Sequence, residues 1–423
     1  MPFRRCKYNT SPINDLNPAV TICKDERNRT MTTSAERLYF IDWIRIGAFL
    51  LLILFHATLP FTVFPWELKD KAHSDILSSI VWWLHQWRLP VLFFVSGVGV
   101  QLSLRRRSIG AFAAERFVRL FIPLLFAMFF ILPVQVYIEF LQQGRITGSY
   151  LRFYPSVWSL VPYPEGSLTW SHLWFVVYLI AFLILLLPVF ALARTKVLKP
   201  YRQALAAFMA KPLPTILMLL PLFGIYHRLA LQYPQTGGLI GDWFVLAFSL
   251  ALFLFGWLVG DQPAFWEACQ RHRKRYGLIA AACTLGMFIF YWWPLRLPET
   301  QGLRFTAYAL VNCTLIWFTL LAILGFARQY ANRDSSLRRY LSAAVFPFYI
   351  IHQAIIVATG YGIVQTGWPM PFKLTVLITL SFVLIFLLYE GLIRRTAITR
   401  VLFGMKLNRR THSSSAHASE SER

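Results

Sequence analysis

Long apolar stretches separated by short polar segments make up most of this sequence. A window of about 19 residues, the length that crosses a bilayer as a helix, finds about ten such stretches. They lie near 40–64, 76–103, 117–141, 171–192, 213–231, 243–260, 276–294, 305–327, 341–362 and 372–393. Because a backbone in lipid must satisfy its own hydrogen bonds, the pattern predicts an all-α, polytopic membrane protein with about ten transmembrane helices.

The two ends of the chain are polar. Residues 1–36 and 399–423 are predicted to be tails on either side of a membrane domain at residues 37–398. The first tail lacks the apolar run of a signal peptide. A second methionine, Met31, precedes the first span, and the sequence leaves open whether translation starts at Met1 or Met31.

The composition supports the membrane assignment, with 57% hydrophobic and only 14% charged residues. Lys and Arg number 42 against 19 Asp and Glu, which gives a formal charge of +23. In a soluble protein this charge would suggest nucleic acid. Here the great majority of the basic residues fall in the two tails and in alternate links between spans, as the positive-inside rule requires. The charge therefore predicts cytoplasmic termini and contact with membrane lipids, and no nucleic acid.

The five cysteines indicate neither disulfides nor a metal site. They lie in the first tail, in a cytoplasmic link or within spans, and they form no CxxC pair. A zinc site or a disulfide framework needs a closer or an external grouping. We expect no bound metal.

Ionisable residues within spans are costly and need a partner or a wet cavity, so they are candidates for function. The first span contains Asp42, Arg45 and His56. His56 lies eleven positions after Arg45, which places the two residues on one helix stripe, about 16 Å apart along the axis. Asp42, three residues before Arg45, is expected to pair with it. His56 has two interpretations, a functional imidazole or a packed histidine at a helix end.

Arg88 lies near the middle of the second predicted span, one turn after His85. A guanidinium at this depth must face the protein interior, where it could hold a carboxylate, a phosphate or another anion. The alternative is a structural pair with a carboxylate. The carboxylates available for that pair all lie towards span ends: Asp242, Glu139 and Glu390. Further along this span, Ser96 and Gly97 are small enough to permit close helix packing.

Arg116 and Arg119 stand one turn apart where the third span begins. Such a pair suits the phosphates of a nucleotide or coenzyme. The alternative is positive-inside anchoring, which is at least as good an interpretation of the preceding run from Arg105 to Arg107.

Further candidates lie at the fourth and ninth spans. His172 and Trp174 begin the fourth span in the segment SHLWF, and His352 lies in FPFYIIHQ. Imidazole can transfer protons near neutral pH, but it can also hydrogen-bond a neighbouring helix, and for His352 positioning is the preferred interpretation. The loop at residues 142–171 is rich in aromatic residues that suit either a sugar or a membrane interface, with the interface preferred.

These motifs, in this order, resemble the integral-membrane acyltransferase family 3. The resemblance spans residues 37–406 and rests on Arg37, Asp42-x-x-Arg45-x10-His56, Arg88 before VLFFVSG, Arg116-x-x-Arg119 before Pro123, SHLWF and FPFYIIHQ. It implies a bacterial inner-membrane O-acyltransferase that moves an acetyl or succinyl group from cytoplasmic acyl-CoA to a hydroxyl of a periplasmic glucan or other glycan. Acyl-CoA would be a co-substrate, with no permanently bound cofactor.

The resemblance also assigns roles to residues. The family's essential arginine and histidine of the first span correspond to Arg45 and His56, and its paired arginines to Arg116 and Arg119. The expected catalytic set is therefore His56, Arg45 and Arg88, with Arg116 and Arg119 binding the donor. The expected substrate contacts are His172, Trp174 and His352. Arg88 would stabilise an oxyanion or bind a succinyl carboxylate, and the sequence does not choose between them.

A secondary transporter, with buried Arg and His relaying ions, is the main alternative. Transporters often show broken helices in two related halves, and the sequence has no such repeat. A membrane cytochrome would need histidine pairs on facing helices, and the histidines do not form an obvious two-haem set.

Overall fold

The computed structural model describes residues 37–293 and 295–406. In this part of the chain the secondary structure is helical, and the β contacts are two isolated bridges, Pro162 with Leu168 and Trp292 with Leu295. The predicted all-α class is confirmed. The predicted tail at 1–36, with Met31, and residues 407–423 of the second tail lie outside the described residues.

The described ranges contain fifteen α-helices. They are α1 (Tyr39–Thr58), α2 (Asp75–Leu104), α3 (Ile109–Phe130), α4 (Pro133–Gln142), α5 (Tyr150–Phe153), α6 (Trp174–Leu192), α7 (Leu198–Met209), α8 (Pro212–Leu217), α9 (Leu219–Leu229), α10 (Trp243–Val259), α11 (Pro263–Phe290), α12 (Leu303–Ala331), α13 (Ser336–Val364), α14 (Met370–Leu388) and α15 (Ala397–Leu402). Short 3-10 turns occur at Leu59–Phe61, Tyr154–Ser159 and Ser171–Leu173, and a π turn at Tyr389–Ile393.

Eight helical segments among the described residues are long and apolar enough to cross a membrane. A ninth is obtained when α10 and α11, bent by 111° at their junction, are counted as one span. The hydropathy pattern predicts two spans here, because basic residues in the first half of α11 confine its apolar part to the second half. The polytopic membrane architecture is confirmed, while the cytoplasmic position of the termini stays a prediction.

Helix α1 lies at the centre of the bundle, where it packs against α2, α12, α13 and α14. Helix α2 packs along α10, and the two backbones approach closely at glycines. A Cβ atom built on Gly97 would meet the Phe253 carbonyl oxygen at 2.0 Å, and one on Gly256 would meet the Phe94 carbonyl oxygen at 2.1 Å. The close packing predicted at Gly97 is therefore confirmed.

Among the described residues Asp42 does not form the expected ion pair with Arg45, although its charge still stabilises that of Arg45 electrostatically. The Asp42 carboxylate pairs with Arg338 on α13, and the buried Arg338 side chain also pairs with Asp334 at 2.7 Å. A buried guanidinium charge needs a neighbouring negative charge more than an exposed one does. The Asp42 carboxylate therefore pairs with the buried Arg338 and not with the exposed Arg45. The four-residue spacing of Glu390 and Arg394 favours an ion pair on a helix, and this pair forms at 2.6 Å.

Candidate active site

Three histidines from distant parts of the chain meet beside the end of α1. His56 comes from α1, His172 from the turn before α6 and His352 from α13. The ring centroids of His352 lie 4.9 Å from those of both His56 and His172. The sequence indicates each of the three as a candidate but does not predict that they form one group.

The hydrogen bonds of His352 fix which of its ring nitrogens carries a proton. Its Nδ1 lies 2.7 Å from the backbone carbonyl oxygen of Tyr349, which can only accept, so Nδ1 is the donor. His352 is fully buried, and no carboxylate contacts it in the described part of the chain, so the ring is neutral and Nε2 carries a lone pair. That Nε2 lies 2.9 Å from Nδ1 of His56. His56 therefore holds its proton on Nδ1, and its Nε2 is left as the basic atom.

The nitrogens of His172 are both engaged by protein atoms. Its Nε2 donates towards the carbonyl oxygens of Tyr349 and Ile350, at 3.2 and 3.3 Å, and its Nδ1 accepts from the Gln135 amide at 3.3 Å. The Tyr349 hydroxyl donates in return to the His172 carbonyl oxygen at 2.6 Å. His172 thus ties the start of α6 to α13 and fixes the segment that bears His352.

Arg88 is 2% exposed and stacks over the ring of Phe55, with its guanidinium carbon 3.8 Å from the ring centroid. Its Nε and Nη1 atoms are buried and have no hydrogen-bond partner among the described residues. The three carboxylates considered for a structural pair are all held elsewhere: Asp242 by Tyr178, Glu139 by Tyr163 and Gln143, and Glu390 by Arg394 and Tyr340. The structure therefore favours an anion from outside the chain as the partner of Arg88.

A cavity of about 1120 Å³ contains these groups. Its wall includes His56, Arg88 and His172, and it extends along α1 to Phe49, one turn from Arg45. His352 lies behind His56 and is not part of the wall. A separate groove beside α11 and α12 is lined mainly by apolar side chains, with Thr284 and Thr319 among them, and contains no charged or histidine side chain.

Glu67 also lines this cavity, although the sequence analysis did not select it. It lies in the segment between α1 and α2, where its Oε1 accepts from the Gln353 amide at 2.7 Å and from the Ser171 hydroxyl at 3.3 Å. Burial raises the pKa of Glu67 to about 7, and the nearby Glu139 carboxylate adds to the rise. The only signal of Glu67 in the sequence is its position directly after the apolar segment Phe64-Pro65-Trp66.

A basic cluster lies towards the other end of α1. Arg45, Arg107 and Arg119 all lie close enough to act electrostatically on Arg116. Arg45 is exposed, and it forms no hydrogen bond or ion pair within the described residues. Arg116 stacks over Phe112 at 5.3 Å and has a buried, unpartnered Nε.

Arg119 differs from Arg116, because its guanidinium is already used within the protein. Its Nε donates to the Gly404 carbonyl oxygen at 3.0 Å and its Nη1 pairs with Glu115 at 3.5 Å. Arg107 also pairs with Glu115. Arg45 and Arg116 are therefore the members of the cluster whose guanidinium groups make no hydrogen bond or ion pair among the described residues.

The aromatic residues near the cavity divide into two groups. Trp174, Tyr163 and Trp170 line the cavity, with the Trp170 indole donating to the Gly237 carbonyl oxygen at 2.8 Å. Trp158 instead stacks on Phe129 and is 56% exposed. The loop at residues 142–171 thus supplies part of the cavity wall and part of the outer surface.

Comparison with known proteins finds a matching family model and a set of relatives. A family model described as an acyltransferase domain matches residues 38–390. The glucans biosynthesis protein C of Salmonella gallinarum (strain 287/91) is 22% identical over 348 residues, covering 77% of this chain and 84% of that protein. The protein of the same name from Salmonella schwarzengrund is 22% identical over 340 residues, with the same coverage. No solved structure matches the chain.

Proposed function

The chain belongs to the integral-membrane acyltransferase 3 family and is an acyltransferase, and from that premise we propose that it moves an acetyl or succinyl group from acyl-CoA to a hydroxyl of a glycan. The observation that carries the proposal is His56, whose basic Nε2 is the free nitrogen of a fixed tautomer in the wall of a large cavity. Membership of an acyltransferase family favours bond formation over the transport alternative.

The donor would bind at the basic cluster. Acyl-CoA is rich in phosphates, and Arg45 and Arg116 have the unused donors that phosphate oxygens require. With the termini in the cytoplasm of a bacterial cell, this cluster faces the compartment that supplies acyl-CoA, and the chain lies in the inner membrane. The thioester arm would then run along α1 towards His56, about 16 Å further on.

Acyl transfer requires a proton to move and the acyl carbon to change its bond from sulfur to oxygen. His56 Nε2 takes the proton of the acceptor hydroxyl as its oxygen attacks the thioester carbonyl carbon. A carbon–oxygen bond forms, the carbon–sulfur bond breaks, and the leaving thiolate takes the proton from His56. Arg88 has two possible roles here, stabilising the oxyanion of the tetrahedral intermediate or binding a succinyl carboxylate. Because acetyl-CoA has no such carboxylate, comparing the two donors separates the roles.

The name of these relatives, glucans biosynthesis protein C, is consistent with a carbohydrate acceptor. The acceptor would reach the cavity from the end opposite the basic cluster, where Tyr163, Trp170 and Trp174 line the wall. On the predicted topology, that end faces the periplasm.

The test is His56→Ala in purified protein, with acyl-CoA binding and acyl transfer measured separately. Binding should persist, while transfer should fall by about 100- to 10,000-fold, the usual worth of general-base assistance. His85→Ala is the matched control, because His85 also lines the cavity but bonds to Gln235 at 3.0 Å. We expect a milder effect there. Near-normal transfer by a folded His56→Ala protein would refute the assignment.

A further inference from the structure

Two buried oxygen atoms in the cavity region have no hydrogen-bond partner in the described part of the chain. They are Oε2 of Glu67 and Oε1 of Gln353. The two side chains are already joined to each other, because the Gln353 amide donates to the other Glu67 oxygen at 2.7 Å. Both residues belong to the cavity wall. Two neighbouring acceptors therefore lack donors at one place in the cavity.

Buried acceptors in native proteins are nearly always satisfied, by protein, by water or by a ligand. Within the described ranges, no donor lies within hydrogen-bond distance of these two oxygens. A group with two adjacent hydrogen-bond donors would complete both at once. Neighbouring hydroxyls on a sugar ring have this arrangement, and each hydroxyl supplies one donor.

The segment that bears Glu67 is held rigidly, so the two oxygens are pre-positioned. The Lys69 ammonium donates to the carbonyl oxygens of Leu59, at 3.3 Å, Phe64, at 2.9 Å, and Thr62. The neighbouring Asp70 pairs with the buried Lys373 of α14 at 2.7 Å. A carboxylate on such a support loses little freedom when a ligand binds.

The charge around these oxygens favours a neutral ligand. Glu139, which is 7% exposed, lies in the same wall and adds a second acidic group. An anionic ligand would be repelled by this pair, whereas hydroxyl donors are attracted by acidic acceptors. Trp66 offers an apolar face at the same place, and its ring stacks with that of His56 at a centroid distance of 6.3 Å.

We propose that Glu67 and Gln353 bind two neighbouring hydroxyls of a neutral carbohydrate acceptor and thereby position the reacting hydroxyl at His56. The inference rests on the proposed acyl transfer, and it assigns the acceptor subsite within it. Glu67 and Gln353 are positioning residues, since the proton moves to His56.

The test uses methyl glucoside and its monodeoxy analogues as acceptor probes with the full-length protein. Binding of the probe is read directly from the fluorescence of tryptophans such as Trp66, so the measurement does not require turnover. Glu67→Gln keeps the size of the side chain but removes its charge, and it should weaken probe binding and raise the acceptor KM by about 10- to 100-fold. Acyl-CoA binding should not change. Gln353→Leu should weaken probe binding as well. The deoxy analogue that lacks the hydroxyl bound by Glu67 should bind equally weakly to the unaltered protein and to Glu67→Gln.

Glu165→Gln is the matched control, because Glu165 is an exposed carboxylate on the same loop as Tyr163 and does not line the cavity. Equal probe binding by Glu67→Gln, Glu165→Gln and the unaltered protein would overturn the inference. Water would then be the partner of the Glu67 and Gln353 oxygens. Failure of the unaltered protein to bind any neutral glycoside would overturn it too. The proposed function is judged separately, by the dependence of acyl-CoA turnover on His56.

Discussion

Replacing His352 tests whether the proton position on His56 is set by the bond between the two rings. His352→Asn keeps a donor near the place of Nδ1, which can still serve the Tyr349 carbonyl, but it has no acceptor for His56. His352→Gln places its terminal amide near the position of Nε2, where its oxygen can accept from His56. The two variants therefore separate the local bond at 2.7 Å from the bond to His56 at 2.9 Å.

The expected fall in turnover follows from the hydrogen bond that His56 loses. In His352→Asn the Nδ1–H group of His56 is left without its acceptor, which costs about 1–3 kcal/mol for a buried donor. The active tautomer can be disfavoured by up to this amount, which corresponds to a fall in turnover of about 5- to 150-fold. The fall cannot exceed the worth of the general base itself, about 100- to 10,000-fold. His352→Gln should retain most of the turnover.

The assay measures turnover and acyl-CoA binding on the same purified preparations. A positioning role lowers kcat in His352→Asn and leaves the donor Kd unchanged, because the basic cluster lies about 16 Å from His56. Equal losses in the two variants, with intact folds, would show that His352 acts by packing. No loss in either variant would refute the tautomer argument.

Two further predictions concern donor binding and packing. Arg116→Ala should weaken acyl-CoA binding more than Arg105→Ala does, because Arg116 lies in the basic cluster and has an unused donor, while Arg105 lies outside the cluster. Equal acyl-CoA binding by both variants would show that the cluster only anchors the protein at the membrane surface. Gly97→Ala should lower the melting temperature, because its Cβ would lie 2.0 Å from the Phe253 carbonyl oxygen, whereas Gly99→Ala on the same helix meets nothing within 4 Å and should be neutral or stabilising by up to about 1 kcal/mol. Equal melting temperatures would contradict the close approach of α2 to α10.

The helical architecture was predictable because a chain in lipid has few choices. Each apolar stretch had to be a helix, and the structure differs mainly at the bent junction of α10 and α11. The candidate residues were also found by a physical rule, since ionisable side chains within spans are rare. His56, Arg88 and His352 were selected in this way.

The pairings could not be predicted in the same way, because they join positions far apart in the chain. Asp42 was assigned to Arg45 by local spacing, but the structure pairs it with Arg338, 296 residues away. The bond between His56 and His352 spans the same separation. Glu67 was missed for a different reason: hydropathy treats a charged residue between spans as an exposed loop, and here the segment folds back into the cavity wall.

Asp42 pairs with Arg338, and this pairing affects the end of the cavity from which each substrate would enter in the proposed reaction. It leaves Arg45 without an ion pair among the described residues, so one end of α1 carries excess positive charge, while Glu67 and Glu139 make the opposite end of the cavity acidic. A polyanionic acyl-CoA is attracted to the first end and repelled from the second. A neutral carbohydrate gains hydrogen bonds at the second end and has little to gain among unpaired arginines. The two substrates would therefore enter from opposite ends and meet at His56, so that neither blocks the other's entrance and the acyl group moves in one direction through the membrane domain.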